Sequence, residues 1–90
     1  MKSLSDVFKA LGDPNRMAII DLLRQRDMTP SELLEKLKIA QPTLSHHLDI
    51  LKRAELVDAA REGQFIRYSL NMSVFEMMVQ FTNKMMKRRE

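Results

Sequence analysis

The chain has 90 residues, enough for one domain with a modest core, and it contains no cysteine, which excludes disulfides, thiolate metal sites and cysteine nucleophiles. Apolar residues make up 44% of it and charged residues 30%, with a net charge of +3, which favours a folded, helix-rich domain and weakly favours a polyanionic partner. The apolar runs are short and interrupted by charges, so neither a signal peptide nor a membrane span is predicted, and the expected location is cytoplasmic.

Two helices are predicted in the first part of the chain. A capping box that begins at Ser3 opens a helix from about Leu4 to Leu11. Asp13 caps a second helix that starts at Pro14 and stops at the charged run Arg24–Asp27. The apolar residues of this helix recur at three- and four-residue spacing, which indicates one buried face: Met17, Ile19, Ile20 and Leu23.

A helix-turn-helix is predicted at about residues 30–54. Thr29 and Glu32 form a capping box around a proline and open a two-turn helix. After a short turn, Pro42 begins the next helix, which runs to about Ala54. Two helices separated by three or four residues have the spacing of a helix-turn-helix.

A β-hairpin is predicted at about residues 56–70, where the apolar pattern changes to that of strands. The strands are expected at Leu56–Ala60 and Phe65–Leu70. The turn between them is expected at Arg61–Gln64, where Gly63 supplies an unusual backbone angle.

A last helix is predicted at about residues 73–88, opened by a capping box at Ser73. The chain, residues 1–90, is therefore expected to be one mainly α domain with a two-stranded hairpin, in the order α-α-α-α-β-β-α. This is the order of a winged helix-turn-helix, in which the hairpin is the wing. A dimer is expected, because a domain this small buries only a modest core and a dimer interface would stabilise it by burying more surface.

The helix that begins at Pro42 has two different faces. Leu44, Leu48 and Leu51 cluster on one side, with His47 at the edge, so this side is expected to pack on the preceding helices. The other side carries, in its N-terminal half, polar and uncharged side chains suited to the edges of base pairs, at the end that a recognition helix presents to the major groove. The alternative is an ordinary solvated face. The predicted reading residues are Gln41, Pro42, Thr43, Ser45 and His46.

Two further contacts with a nucleic acid are predicted. The helix that begins after Thr29 offers N–H groups to a phosphate at Thr29, Ser31 and Glu32, although the charge of Glu32 opposes a phosphate slightly and capping is an alternative role for these groups. The hairpin carries Arg61, Gln64 and Arg67, which suit phosphates or the minor groove, unless they are simply solvated.

Three motifs in order resemble the ArsR/SmtB family of bacterial repressors. The opening signature is similar over Lys9–Arg16 and Ile19–Leu23. The recognition helix is similar over Gln41–Leu51, and the wing with its second strand over Glu62–Leu70. The resemblance extends over most of the chain and points to the cysteine-free, metal-independent autorepressors of the family.

The resemblance implies a homodimer that binds an inverted repeat in a promoter, with contacts at Gln41, Thr43, Ser45 and His46. It also implies that the first and last helices form the dimer interface. The residues expected there are Leu4, Val7, Phe8, Leu11, Val74, Phe75, Met78, Phe81 and Met85.

Many members of this family sense metals, but the expected ligands are missing here. The third helix has no cysteine, and the last helix offers only Glu76 and Glu90. His46 and His47 are about 100° apart on one helix, so they are not expected to chelate one ion. We therefore expect no metal site and no cofactor, and a hydrogen bond at the core edge for His47.

The last helix is rich in methionine, including Met77, Met78, Met85 and Met86. Its expected role is the dimer interface, since methionine fills irregular gaps. A plastic pocket for an apolar effector or partner protein, and a methionine-oxidation switch, are alternatives. A basic tail is either simply solvated or adds non-specific attraction to DNA; its residues are Lys84, Lys87, Arg88 and Arg89.

The sequence thus predicts a sequence-specific regulator of transcription, most simply a repressor, whose partners are double-stranded DNA and a second copy of itself. No phosphate-binding loop and no nucleophile–base pair is present to support an enzyme. Two alternatives stay open: a repressor with a small-molecule effector at the dimer interface, and a winged-helix module that binds proteins. An effector or anti-repressor protein is not identified by the sequence.

Overall fold

The computed structural model describes residues 3–87. Five helices and a two-stranded antiparallel sheet follow one another in the predicted order, which confirms the mainly α, winged helix-turn-helix class. Arg88, Arg89 and Glu90 lie outside the described residues. The elements are α1 Leu4–Leu11, α2 Pro14–Gln25, α3 Pro30–Lys36, α4 Gln41–Arg53, β1 Val57–Glu62, β2 Phe65–Leu70 and α5 Met72–Met86.

The first three helices begin at the predicted side-chain caps. The Ser3 hydroxyl accepts a hydrogen bond from the backbone N–H of Asp6 at 3.2 Å, and the Asp13 carboxylate accepts one from that of Arg16 at 3.1 Å. At α3 both halves of the Thr29–Glu32 capping box are formed. These caps satisfy N–H groups that a helix leaves without a partner in its first turn.

A single core joins α1–α4 to the start of β1. The predicted anchors of α4 are buried in it, and each large apolar side chain there contributes about 1.5–3 kcal/mol by leaving water. On α2 the prediction for Met17 is wrong, since this side chain is 59% exposed while Ile19 and Leu23 fill the core. The residues that are almost fully buried are Val7, Ile19, Met28, Leu33, Leu44, Leu51, Leu56 and Val57.

The end of α4 is a Schellman motif that the sequence pattern does not reveal. The N–H of Leu56 donates to the carbonyl of Leu51, and the N–H of Glu55 donates to that of Lys52, both at 3.0 Å. Glu55 has φ 62°, the left-handed conformation that glycine usually supplies at this position. Leu56 therefore belongs to the helix cap, and β1 begins one residue later than predicted.

The hairpin turn is tighter than the four residues predicted. Strand pairing continues to Glu62 opposite Phe65, which leaves a two-residue loop of Gly63 and Gln64. Gly63 has φ 62° as the first loop residue, a conformation that favours glycine for its backbone rather than for lack of space. At the base of the wing, the other edge of β2 forms a bridge from Tyr68 to Met28.

The last helix begins differently from the prediction. Asn71, not Ser73, is its N-cap, since the Asn71 side chain accepts a hydrogen bond from the backbone N–H of Ser73 at 3.1 Å. The capping box predicted at Ser73 is therefore absent. Val74, in the first turn, is the buried residue of α5, and the later turns keep large apolar side chains at the surface.

Candidate nucleic-acid interface

The N-terminal half of α4 presents an uncovered polar surface, which we call the reading surface: Gln41, Pro42, Thr43, Ser45 and His46. All five residues are exposed. The same helix is held to the core by Leu44, Leu48 and Leu51, which are at most 3% exposed. The structure thus places the predicted reading residues on one accessible surface, on a helix whose opposite side is fixed.

The start of α4 has free backbone donors. Ala40 is its N-cap and makes no side-chain capping hydrogen bond, in contrast to the other four helices described, which all have one. The N–H groups of the first turn therefore face outward with the positive end of the helix dipole, an arrangement that favours a phosphate. Sequence reasoning missed this feature, although the lack of Ser, Thr, Asp or Asn before Pro42 signals it.

A polar cluster seats α4 against α2. His47 is 7% exposed, and its Nδ1 lies 3.2 Å from Nη1 of Arg16. Because a guanidinium group only donates, Nδ1 accepts this hydrogen bond. Arg16 also donates through Nε to the carbonyl of Ala10 in α1. The predicted core-edge hydrogen bond of His47 is confirmed.

Asp13 closes this cluster on the other side of the imidazole ring. One of its carboxylate oxygens lies 3.9 Å from Nε2 of His47. The backbone N–H of Arg16, with a smaller contribution from the charge of the Arg16 guanidinium, lowers the pKa of Asp13. Three residues from the α2 start and the α4 centre therefore fix the angle at which α4 leaves the core.

The start of α3 differs from the prediction in one respect. Thr29 is buried, and its N–H donates to Glu32 Oε1 at 2.9 Å, so this residue is occupied by capping and does not offer an N–H to a phosphate. The N–H of Glu32 is likewise used by the Thr29 hydroxyl. Ser31 is exposed and remains accessible.

Glu32 is strongly stabilised as an anion. The backbone N–H of Thr29, followed by the Arg26 guanidinium at 2.8 Å, lowers its pKa to about 2. Arg67 of β2 reaches the same carboxylate, at 3.5 Å from Oε1. This carboxylate therefore links α3 to both α2 and the wing.

The three wing residues that were predicted to contact DNA lie in different environments. Arg61 and Gln64 are exposed near the tip. Arg67 is not a free arginine, because its Nε lies 3.1 Å from Glu62 and its Nη1 lies 3.5 Å from Glu32. The tip also exposes Phe65, which is 61% exposed.

The residues predicted for the dimer interface fall into two groups. Val7 and Val74 are buried in the core of their own chain, at 0% and 8% exposure, so they cannot be the contact surface and their assignment is wrong. The others lie on α1 and α5 at the surface or partly buried. Exposed are Phe8, Phe81 and Met85; partly buried are Leu4, Leu11, Phe75 and Met78.

The exposed part of this set forms a continuous apolar surface. The rings of Phe8 on α1 and Phe81 on α5 are 5.9 Å apart and tilted by 59°, in contact across the two helices. Both residues are about two-fifths exposed, and Met85, one turn further along α5, is 59% exposed. We call Phe8, Phe81 and Met85 the apolar face.

Two other kinds of site are absent from the part of the chain that the structure describes. Within residues 3–87, no group of three or more His, Cys, Asp or Glu side chains is placed to hold a metal ion. In the same part of the chain, no helix combines the length and apolar character that crossing a membrane requires.

The core-anchored α4 with an exposed polar start, followed by a hairpin, defines a winged helix-turn-helix regulator of transcription that binds DNA. The chain belongs to the arsR family of bacterial regulatory proteins, whose family model matches residues 13–59. The family resemblance predicted from three motifs is therefore confirmed. Members of this family are transcriptional regulators rather than enzymes, and they typically act as dimers.

Relatives of this family cover most of the chain. The transcriptional repressor SdpR of Bacillus subtilis is 47% identical over 85 residues, covering 90% of this chain and 94% of the relative. The arsenical resistance operon repressor of Staphylococcus aureus is 38% identical, covering 91% and 79%. An ArsR-like transcriptional regulator from Rhodococcus sp. RHA1 superposes with a TM-score of 0.84 at 27% identity, covering 91% of this chain and 77% of that one.

Proposed function

We propose that this chain is a repressor that binds an inverted-repeat operator as a homodimer, in the cytoplasm. The reading surface enters the major groove, and the wing reaches the phosphates or the minor groove beside it. Occupation of the promoter then blocks transcription. The relatives from Bacillus subtilis and Staphylococcus aureus are a transcriptional repressor and an arsenical resistance operon repressor, which supports repression as the outcome.

The observation that carries this proposal is the division of α4 into two functional sides. Three buried leucines and His47 fix the helix, while five polar or small residues at its start are exposed and carry no full charge. A free helix N-terminus lies next to them, where a phosphate would be stabilised. Together they form a surface suited to a base-pair edge with a phosphate beside it.

The apolar face supports the homodimer. Phe8, Phe81 and Met85 leave a contiguous apolar surface on two helices that a monomer would expose to water. A two-fold axis through this face would pair α1 and α5 of one protomer with those of its partner, which is an isologous interface. The two reading surfaces would then lie about 34 Å apart, one turn of DNA.

Regulation without a metal is part of the proposal. Soft metals of the kind that arsenical and mercury repressors are named for are bound through thiolates, and this chain has no cysteine. The reading residues and the wing do not depend on a ligand for their exposure. We therefore propose that abundance or a partner protein controls the repressor.

The experiment is selection of the chain's preferred duplex from a random-sequence pool, followed by footprinting and a salt titration. We expect two protected half-sites in inverted repeat and a slope of log affinity against log salt of about −0.9 per phosphate contacted. Replacing Arg61 with alanine should reduce this slope by about 1, while Ser5→Ala, an exposed change on α1, should leave it unchanged. If no sequence is enriched, the protein-binding module becomes the better account.

A further inference from the structure

The base and the tip of the wing are held very differently. At the base, Tyr68 exchanges two backbone hydrogen bonds with Met28, at 2.8 and 3.1 Å. Residues 60–66 are all exposed. The loop residues Gly63 and Gln64 lie about 10 Å beyond Arg67 at the usual rise of a strand, so a small rotation about the base moves the tip by ångströms.

Arg67 is the residue at which the tip connects to the body. Its guanidinium lies between two carboxylates from different elements, Glu62 of β1 at 3.1 Å and Glu32 of α3 at 3.5 Å. The same Nη1 also donates to the carbonyl of Asp27 at 3.5 Å. One side chain thus spans the hairpin and attaches it to the segment that begins the helix-turn-helix.

The carboxylate that receives Arg67 is itself immobilised. Glu32 accepts hydrogen bonds from the Thr29 N–H and hydroxyl at 2.9 and 3.2 Å, and it pairs with Arg26 at 2.8 Å. Arg67 therefore attaches to a fixed point of the helix that precedes the reading surface rather than to a mobile surface acid.

We propose that Arg67 is a positioning residue, which holds the wing at a fixed angle to the helix-turn-helix so that Arg61 meets DNA at the same time as the reading surface. The effect of this positioning on DNA binding rests on the proposed function, whereas the attachment of the wing to α3 through Arg67 does not. It replaces the direct DNA contact that the sequence alone suggested for Arg67.

Two substitutions cut the attachment while leaving Arg67 in place. Glu32→Gln keeps the capping box, because glutamine serves at this position of the motif, but it removes the ion pair with Arg67 and also the pair with Arg26. Glu62→Gln removes the pair on the other side. Glu35→Gln is the matched control, since Glu35 is exposed on α3 and the change in charge is the same.

The first measurement needs no DNA: backbone ¹⁵N relaxation of the wing. We expect the order parameters of residues 61–66 to fall below about 0.6 in Glu32→Gln and Glu62→Gln, and to keep the wild-type values in Glu35→Gln. Unchanged order parameters in both variants would overturn the positioning role. Because exposed ion pairs contribute little to global stability, the melting temperature should barely move in Glu62→Gln. In Glu32→Gln it should fall at neutral pH, because the stabilised Glu32 anion is lost, so the relaxation of every variant is measured well below its own melting temperature.

The second measurement is the affinity for the duplex that the wild type selects from a random pool. Both variants make the chain more positive, so simple electrostatics, or a freed Arg67 that contacts DNA itself, predicts tighter binding. The positioning role predicts binding about three- to fivefold weaker, with Glu35→Gln unchanged or slightly tighter. Binding at least as tight as that of Glu35→Gln would contradict it.

A double-mutant comparison separates positioning from a general loss of folding. In an Arg61→Ala background the effect of Glu32→Gln should disappear, because the misplaced wing has no contact left to lose. Additive losses would refute the link to Arg61. If the wild type selects no sequence at all, the proposed function fails, and the relaxation data still decide the positioning role.

Discussion

The conformation of a single residue can end a helix where the local sequence does not indicate it. Glu55 is a case, since a charged residue occupies the left-handed position that ends α4. The motif Ala54-Glu55-Leu56 has no glycine to signal a helix end, so the sequence pattern places the first strand one residue early. Only the backbone hydrogen bonds of Glu55 and Leu56 reveal the Schellman motif.

Glu55→Gly should stabilise the protein. A side chain at φ 62° costs about 1 kcal/mol that glycine avoids, so we expect a gain of up to about 1 kcal/mol and a rise in melting temperature of a few degrees. Urea denaturation measures it. Glycine at the neighbouring exposed position Arg53, inside the helix, should instead destabilise, and a loss at both sites would show that the left-handed cap is not formed.

The Glu32 carboxylate makes stability depend on acid. Its folded pKa of about 2 lies below the ordinary glutamate value of 4.5, so its stabilising contribution is present above pH 4.5 and is lost as the pH falls toward 2. Glu32→Gln should therefore flatten part of the fall in melting temperature between pH 5 and pH 2. A variant that retains the full acid sensitivity of the wild type would contradict this, and Glu35→Gln serves as control.

At the scale of elements, the central question is what holds α4 at its angle. The apolar anchors Leu44, Leu48 and Leu51 were predictable from their spacing, because periodicity reports which side of a helix is buried. The Asp13–Arg16–His47 cluster was predictable only in part. A histidine at a core edge indicates a hydrogen bond, but its partner lies 31 residues earlier, and no local pattern identifies it.

His47→Ala should destabilise the protein by about 2–3 kcal/mol. The substitution removes a buried ring and leaves Nη1 of Arg16 without its acceptor in a partly buried position. The adjacent His46 is exposed, so His46→Ala should change stability by less than about 0.5 kcal/mol. Equal effects of the two substitutions in chemical denaturation would show that the cluster does not anchor α4.

The wing shows why the site residues were harder to predict than the helices. Arg61, Gln64 and Arg67 look equivalent in the sequence, since each is polar and near the turn. Their difference depends on Glu32, a residue from another element, which pairs with Arg67 and leaves the other two exposed. Thr29 was misassigned for a similar reason, since its N–H is used by its own capping box.

For the whole molecule, the order of elements was fully predictable, because caps, glycines and apolar periodicity agree along the chain. The residues of the dimer interface were not, since periodicity does not distinguish a helix side that faces its own core from one that faces a partner. Val7 and Val74 illustrate this, as both are apolar residues on the expected helices and both are buried within the chain.

The apolar face predicts how the dimer can be broken. Phe81→Glu places a charge in the proposed interface, so we expect the dimer dissociation constant to rise more than tenfold and operator affinity to fall with it. Gln25→Glu, at the exposed end of α2, makes the same change of charge away from this face. Sedimentation velocity at several concentrations measures the dimer dissociation constant of both variants. A dimer that survives Phe81→Glu would place the interface elsewhere.

The reading surface is tested most directly by the ratio of affinities for the selected duplex and a scrambled duplex, in wild type and in Ser45→Ala/His46→Ala. Both substitutions lie on exposed side chains, so the dimer and the melting temperature should be preserved. We predict that the affinity for the scrambled duplex stays the same and that the ratio falls at least tenfold, in line with about 1–3 kcal/mol for each lost base contact. A ratio equal to that of the wild type would contradict the assignment of α4 as the helix that reads the sequence.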